Sequence, residues 1–303
     1  MGTPDFAVPA LDALVAAGLA PVTVVTVPDK PAGRGQRVRS SAVKQAAERH
    51  GLPVLQPNSL RDSDFISALE DAAPDVMAVV AFRILPPEVY EIARLGAFNL
   101  HGSLLPAYRG AAPIQRALMD GVTETGVTTF FLQRTVDTGA IILRRALEVG
   151  PDDTAGDVHD RLAEIGAGAV VETTRRILDG TANAQPQDDA LASAAPKIFR
   201  QDGEIDWTRP ALEVHNHIRA LAPYPGAWTT WDGETLKVLR TVRTDAVLEA
   251  APGTVVTDDR LLVACGRGAL EVAEVQRQGK RRMAAADFLN GVGLEGAVLG
   301  TAD

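Results

Sequence analysis

Asn99 and His101 stand two positions apart at the end of a short apolar run. In an extended strand, this spacing points both side chains to the same face of a sheet. Gly102 then turns the chain into a loop rich in serine, proline and glycine. An amide and an imidazole on one face, at the end of a strand, can stabilise an oxyanion and move a proton. The pattern predicts a catalytic site of this kind; the alternative is a strand end whose polar residues cap a neighbouring helix.

Asp137 is a third polar group that could join this pair. It follows a β-branched and aromatic run at residues 127–132 that predicts a strand, and Thr138 and Gly139 continue the chain as a turn. A carboxylate beside an imidazole can orient the ring and raise its basicity. The sequence alone does not bring Asp137 next to His101, so the alternative is an aspartate that only caps its own turn.

The elements that must position these residues alternate between strand-like and helix-like runs through the first half of the chain. This alternation is typical of an α/β sheet, in which a strand at residues 95–101 would deliver the Asn–His pair. An amphipathic helix is predicted at residues 154–179, followed by an aperiodic stretch that reads as an interdomain linker. Beyond it, a helix at residues 210–221 and several short strands between residues 227 and 275 predict a small barrel.

Length and composition bound the class of protein. A chain of 303 residues is long enough for two domains with their own cores, and its hydrophobic content of 46% is ordinary for a globular protein. No apolar run approaches the ~20 residues that a membrane helix needs, and no secretory signal pattern is visible. The single cysteine, Cys265, excludes an internal disulfide and lies in an apolar run that predicts a buried side chain. No Cys/His cluster has metal-ligand spacing, so we expect no metal.

Charge is distributed unevenly along the chain. The net charge is −9, which is unexpected for a protein that binds nucleic acid. Residues 28–49 nevertheless carry six basic and two acidic side chains, and residues 277–282 carry four basic ones. Two basic patches on an acidic body can grip a phosphate backbone locally. The alternative is two solvated loops, and charge alone favours that reading.

Several stretches resemble the formyltransferase family that uses 10-formyltetrahydrofolate. The loop that begins Ser-Leu-Leu-Pro, the glycine-bounded turn before the strand that precedes Asp137, and the Val-Asp-Thr-Gly turn carry this resemblance, at residues 103–114, 121–126 and 136–139. Further segments resemble the branch of that family whose acceptor is methionyl initiator tRNA; they are residues 2–7, 28–35, 196–198, 203–207 and 219–228. The resemblance covers nearly the whole chain.

The resemblance implies a fold and a domain organisation. The expected fold class is α/β, with a Rossmann-like formyltransferase domain followed by a C-terminal β-barrel of the oligonucleotide/oligosaccharide-binding (OB) type. The implied bounds are residues 1–180 for the catalytic domain, 181–197 for the linker and 198–303 for a tRNA-binding barrel domain. The implied activity is transfer of a formyl group from 10-formyltetrahydrofolate to the amino group of methionyl initiator tRNA, for translation initiation. We expect a cytoplasmic monomer that needs no metal and does not associate with a membrane.

The resemblance also assigns roles to residues. The catalytic asparagine, histidine and aspartate of the family fall on Asn99, His101 and Asp137. The loop that contacts the folate falls on four consecutive positions, Ser103, Leu104, Leu105 and Pro106. The basic patches become the tRNA-binding residues; these are Lys30, Arg34, Arg37, Arg39, Lys44, Lys280 and Arg281.

Two departures from the family and two alternative functions remain open. The family has a strand before the Gly-Thr-Pro-Asp turn, and this sequence starts on that turn. Arg83 stands where the family has a glycine in a loop that lines the pterin pocket, so we expect weaker pterin binding. The alternatives are a formyltransferase that acts on a small amine and a non-catalytic tRNA-binding protein of the same fold.

Overall fold

A computed structural model describes residues 1–32, 37–257 and 259–300 of the chain. The chain divides into two compact units, each assembled from three segments. Unit 1 comprises Met1–Pro113, Glu124–Glu148 and His159–Ala195, and unit 2 comprises Ile114–Thr123, Val149–Val158 and Pro196–Asp303. Residues 181–195 belong to unit 1, and residues 196 and 197 belong to unit 2.

The first half of the chain alternates strands and helices, as the sequence predicts. The strands are β1 (Val24–Val25), β2 (Lys30–Ala32), β3 (Arg37–Arg39), β4 (Val54–Leu55), β5 (Met77–Val80), β6 (Ala97–His101), β7 (Glu124–Phe131) and β8 (Ile141–Glu148). The helices are α1 (Val8–Ala16), α2 (Ala42–Arg49), α3 (Ser63–Asp71), α4 (Pro87–Tyr90), α5 (Pro113–Met119) and α6 (Ala155–Leu178).

Strand β6 lies inside a four-stranded sheet in the order β5-β6-β7-β8. It pairs parallel with β5 and antiparallel with β7, so its backbone is bonded on both sides. Apolar side chains of β1, α3 and β5 form a core that includes Val25, Leu69 and Met77. A central strand packed in this way holds the side chains at its end in fixed positions.

A gap separates β5 from the parallel pair β1–β4. Met1 and Gly2 span one end of it: the Gly2 amide donates to the carbonyl of Val25, and the Val80 amide donates to the carbonyl of Met1. Beyond Met1 lies an apolar cavity of about 140 Å³ lined by residues of β1, β5 and α1. The Met1 amino group donates to the Ala78 carbonyl at 2.6 Å, and burial lowers its pKa from 8.0 to about 5.

Unit 2 carries the antiparallel sheet of the second half of the chain. Its strands are β9 (Ala227–Trp231), β10 (Glu234–Arg243), β11 (Val255–Thr257), β12 (Leu261–Ala264), β13 (Ala269–Arg277) and β14 (Met283–Ala284), and its helices include α7 (Ala211–Leu221) and α8 (Ala285–Leu289). The strand order is β11-β12-β13-β10-β9, with β14 paired to β13. The β-rich second domain is therefore confirmed, whereas closure of this sheet into a barrel stays a prediction.

Cys265 lies in the core of unit 2, as predicted, and is 6% exposed. Burial raises the pKa of its thiol to about 11, so the reactive thiolate is scarce near neutral pH. We expect Ellman's reagent to leave the folded protein unlabelled at pH 8 and to label one thiol after unfolding in guanidinium chloride. Rapid labelling of one thiol in the native protein would contradict this packing.

No helix in the part of the chain that the structure describes is long and apolar enough to cross a membrane.

Candidate active site

Asn99 and His101 share one face of β6, as their spacing predicts. Asn99 pairs with Val79 of β5 and Phe130 of β7, and His101 pairs with Thr128 of β7. The imidazole is buried, with 6% of His101 exposed, while Asn99 is partly exposed. Among residues 1–32, 37–257 and 259–300, no side-chain hydrogen bond to the Asn99 amide is found. Its donors are thus free to meet a ligand.

The structure brings Asp137 beside His101. Asp137 Oδ2 lies 3.8 Å from His101 Nδ1, and both side chains are almost fully buried. The same carboxylate oxygen accepts a hydrogen bond from the Gly110 amide at 2.9 Å. Asp137 has φ of 57°, in the left-handed region that only a specially supported non-glycine residue occupies. The turn after β7 is therefore held in an unusual conformation that aims this carboxylate at the imidazole.

A backbone carbonyl fixes the other nitrogen of His101. His101 Nε2 lies 2.8 Å from the carbonyl oxygen of Tyr108. A carbonyl can only accept, so Nε2 carries a proton and donates it. In the neutral imidazole, Nδ1 is then the nitrogen with the free lone pair, and it is the one that faces Asp137.

The loop predicted to contact the folate has two inward and two outward side chains. Ser103 and Leu105 are buried, with Ser103 Oγ donating to the carbonyl of Ala107 at 2.6 Å. Leu104 and Pro106 are partly exposed, and Leu104 packs so close to Gly126 that a Cβ there would lie 2.5 Å from its Cδ2. Ser103 and Leu105 therefore shape the loop, and only the other two side chains offer surface to a ligand.

The loop at residues 81–86 holds its arginine in place. Arg83 donates to the carbonyls of Pro57 and Asn58 at 2.9 and 3.1 Å, and its guanidinium lies 5.2 Å from the centre of the Phe82 ring. Ala81 has a φ of 47°, so the loop contains one residue in the left-handed region, two positions before Arg83. Arg83 is thus anchored to the neighbouring loop.

The basic residues of the first patch do not all remain available. Lys30 and Arg39 are exposed at the paired ends of the hairpin β2–β3. Lys44 forms an ion pair within the protein, because its ammonium lies 2.5 Å from Asp29. The hydrogen bond from Lys44, together with one from Gln56, lowers the pKa of Asp29. The charge of Lys44 is already neutralised within the protein.

The remaining predicted cations are Arg34, Arg37, Lys280 and Arg281. Arg34 falls outside the described residues, and Arg37 is described only as backbone in β3. Lys280 and Arg281 are exposed between β13 and β14 in unit 2. In the part of the chain that the structure describes, neither of these two has an ion-pair partner.

Sequence reasoning misses three residues that support the His101–Asp137 pair. Tyr108 supplies the carbonyl that binds the imidazole, and its φ of 60° is left-handed. Arg109 and Gln187 bond to each other, and Gln187 also donates to the carbonyl of Asp137. Tyr108 and Arg109 lie inside the motif that suggests the family, which is a signal that could have found them. Gln187 lies in a stretch without periodicity and gives no such signal.

Residues 1–32, 37–257 and 259–300 contain no group of three or more His, Cys, Asp or Glu side chains arranged to hold a metal ion.

Comparisons with known proteins identify the family of this chain. A formyl transferase family model matches residues 1–174, and a model of the formyl transferase C-terminal domain matches residues 197–293. The chain is 48% identical to a methionyl-tRNA formyltransferase of Chlorobium phaeovibrioides, over 99% of this chain and 96% of that protein. It is 50% identical to a protein of the same name from Chlorobium luteolum, over 96% of this chain and 95% of the other.

A solved structure shares the fold. It is an N-formyltransferase from Helicobacter canadensis in complex with folinic acid and dTDP-3-aminofucose, with a TM-score of 0.68 and 20% identity. The match covers 91% of this chain and 97% of that one. The two family models match successive parts of the chain, and relatives that align over nearly their full length are 48% and 50% identical to it. The chain therefore belongs to the formyl transferase family.

Proposed function

We propose that this enzyme transfers the formyl group of 10-formyltetrahydrofolate to the α-amino group of methionyl initiator tRNA. The observation that carries the proposal is the grouping of Asn99, His101 and Asp137 at the end of β6 in a chain of this family. Relatives of full length carry the name methionyl-tRNA formyltransferase, which supports this choice of acceptor.

The reaction requires charge stabilisation and one proton transfer. The acceptor nitrogen attacks the formyl carbon, a new C–N bond forms, and the carbonyl oxygen becomes an oxyanion. The Asn99 amide stabilises that oxyanion by a hydrogen bond, and the imidazolium that His101 becomes when it takes the proton stabilises it by charge. Collapse breaks the bond to the folate nitrogen, which takes the proton that the attacking nitrogen releases.

The hydrogen bonds of His101 decide which of its nitrogens handles this proton. Nε2 is committed to the carbonyl of Tyr108, so Nδ1 accepts the proton and returns it. Asp137, at 3.8 Å, stabilises the imidazolium that forms in between. Burial of both side chains strengthens this interaction, because water screens it weakly there.

The two substrates use different parts of the chain. The exposed parts of Leu104 and Pro106 contact the folate, and the loop that contains Arg83 lines its pterin end. Lys30, Arg39, Lys280 and Arg281 contact phosphates of the tRNA; contacts of this kind position a nucleic acid rather than specify its sequence.

One assay separates the candidate acceptors. We expect the purified protein, with 10-formyltetrahydrofolate, to formylate methionyl initiator tRNA, and to leave uncharged initiator tRNA and small amines such as amino sugars unmodified. Formylation of small amines alone would identify a different formyltransferase. Binding of tRNA without any formylation would identify a non-catalytic tRNA-binding protein.

The exposed cations give a prediction about salt. Replacing Lys30, Arg39, Lys280 and Arg281 together by alanine should weaken tRNA binding and flatten the plot of log affinity against log salt. Each lost phosphate contact lowers that slope by about 0.7 to 0.9. Filter-binding or fluorescence titrations between 50 and 200 mM salt measure the slope, and folate binding should stay unchanged.

Arg94→Ala is the matched control for these cations. Arg94 is an exposed arginine in unit 1 that is paired with Asp75 at 2.5 Å and lies outside both basic patches. The Arg94→Ala variant should leave the slope of log affinity against log salt unchanged. An unaltered slope in the fourfold variant would show that the patches are only solvated loops.

A further inference from the structure

The segment from residue 185 to residue 195, which we call the return segment, is hydrogen-bonded to the rest of unit 1 at both of its ends. Its first residue, Gln185, exchanges two backbone hydrogen bonds with Ile141 at the start of β8, at 2.7 and 2.8 Å. Near its end, the Ala195 amide donates to the carbonyl of Arg109, and the Ala112 amide donates to the carbonyl of Ala195. The segment thus joins the turn that carries Asp137 to the loop that follows β6.

The return segment also holds the peptide group that orients His101. The carbonyl of Tyr108 accepts from His101 Nε2, and the amide on the other side of the same peptide bond, that of Arg109, donates to the carbonyl of Ser193 at 2.8 Å. The Tyr108 amide donates to Ser193 Oγ at 2.9 Å. Because Tyr108 has a left-handed φ, it needs such support to keep its carbonyl aimed at the imidazole.

Gly110 lets the return segment approach this closely. A Cβ at Gly110 would lie 2.5 Å from the carbonyl oxygen of Ala195, and its φ of 129° also disfavours any other residue. The amide of Gly110 donates to Asp137 Oδ2. One short piece of backbone therefore contacts the carboxylate on one side and the return segment on the other.

Gln187 connects the two halves of this arrangement through its side chain. Its Nε2 donates to the carbonyls of Asp137 and Gly139, both at 2.9 Å. Its Oε1 accepts from Arg109 Nε at 3.1 Å and from Nη2 at 2.7 Å. Both donors and both acceptor sites of the amide are used, and the side chain is partly buried. No other residue type of this length offers two donors and one acceptor oxygen.

From this geometry we propose that Gln187 is a positioning residue for formyl transfer, acting through the Asp137 turn and the Tyr108–Arg109 peptide. It binds the backbone carbonyl of Asp137, whose φ is left-handed. It also ties that turn to the loop whose carbonyl orients His101. This inference rests on the proposed roles of His101 and Asp137, because Gln187 contacts neither substrate-facing group directly.

Loss of the amide should therefore lower turnover rather than binding. Gln187→Met keeps the length of the side chain and removes every hydrogen bond, and we expect kcat to fall about tenfold or more, since a small misplacement of catalytic groups costs at least this much. KM for the folate and for the tRNA should stay within about twofold. Gln187→Glu keeps the acceptor for Arg109 but sets a carboxylate oxygen, which cannot donate, against the two carbonyls, so it disturbs the Asp137 turn while the contact to Arg109 is kept.

The matched control is Gln185→Ala. This residue lies in the same segment, and its side-chain amide donates to Asn183 instead. It should keep full kcat, while thermal midpoints of all variants are recorded to confirm that each is folded at the assay temperature.

The decisive readout is a double-mutant cycle with Asp137→Asn. If Gln187 works through the Asp137 turn as well as the Tyr108–Arg109 peptide, the double variant should be slowed by clearly less than the product of the two single effects, whereas a residue that acts independently of Asp137 would give additive losses of activation free energy. An unchanged kcat in the folded Gln187 variants, or additive losses in the cycle, would overturn the inference. If Asp137→Asn itself turned over at the full rate, the proposed role of Asp137 would fail instead, which separates the two failures.

Discussion

Replacement of His101 by alanine is expected to lower kcat for formyl transfer by about 100-fold or more. The variant loses the proton carrier at Nδ1 and the positive charge that meets the oxyanion. The substitution also removes the donor to the carbonyl of Tyr108, a residue that is partly exposed. Rapid-quench measurement of formyl-methionyl-tRNA under single-turnover conditions isolates this chemical step.

Asp137→Asn should give a loss of similar size. Asparagine tolerates the left-handed φ of 57° and can still accept the hydrogen bond from Gly110, so the variant removes charge and little else. Alanine would add backbone strain and confuse the result. Glu91→Gln is a suitable control because Glu91 is an exposed carboxylate outside the site. Near-full turnover by either the His101 or the Asp137 variant would contradict the proposed mechanism.

A strand added before Met1 is expected to give the largest gain in stability. Gly2 pairs parallel with Val80, so residues placed upstream would run between β1 and β5 into the apolar cavity of about 140 Å³. Filling a cavity of this size is worth about 3 kcal/mol, and the added backbone would also pair with its neighbours. For a chain of 303 residues, whose unfolding entropy is about 0.6 kcal/mol/K, we expect the thermal midpoint to rise by about 5 °C with a five-residue Val/Ile extension.

An extension of the same length made of glycine and serine is the control. Both extensions replace the buried amino group of Met1 by an amide, but only the apolar one fills the cavity. Equal midpoints for the two extended proteins would show that the cavity does not accept a strand.

The buried amino group adds a pH dependence to the same comparison. Its folded pKa of about 5 lies below the unfolded value of 8.0, so unfolding takes up a proton between these limits. Stability of the chain that begins with a free amine at Met1 therefore falls as the pH falls from 8 to 5. The midpoint difference between either extended protein and this chain should be larger at pH 6 than at pH 8. A difference independent of pH would show that the amino group is solvated.

Local patterns predict most of this fold. Strands β9 and β12 lie where short strands are predicted between residues 227 and 275, and β6 ends at His101, as does the strand predicted at residues 95–101. The hairpin β2–β3 is missed, because its proline and glycine content is typical of a loop. The places where a strand begins and ends depend on nearby residues, so a single sequence can predict them.

The site is only partly predictable because its contacts join distant residues. The spacing of Asn99 and His101 within one strand predicts that their side chains share a face. The contact of Asp137 with His101 depends on a left-handed turn, which the residue types of that turn do not predict. Gln187 bonds to a carbonyl 50 positions away and to an arginine 78 positions away. The pairing of Lys44 with Asp29 depends equally on tertiary structure, so a basic run overstates the free charge of its surface.

The most direct test of the account is a single-turnover assay of formyl transfer with saturating 10-formyltetrahydrofolate and methionyl initiator tRNA, comparing the unsubstituted protein with His101→Ala. We expect the unsubstituted protein to convert the bound tRNA to formyl-methionyl-tRNA, and the variant to bind the tRNA equally well but to react about 100-fold more slowly or worse. Absence of product with the unsubstituted protein, or equal rates for the two proteins, would contradict the account.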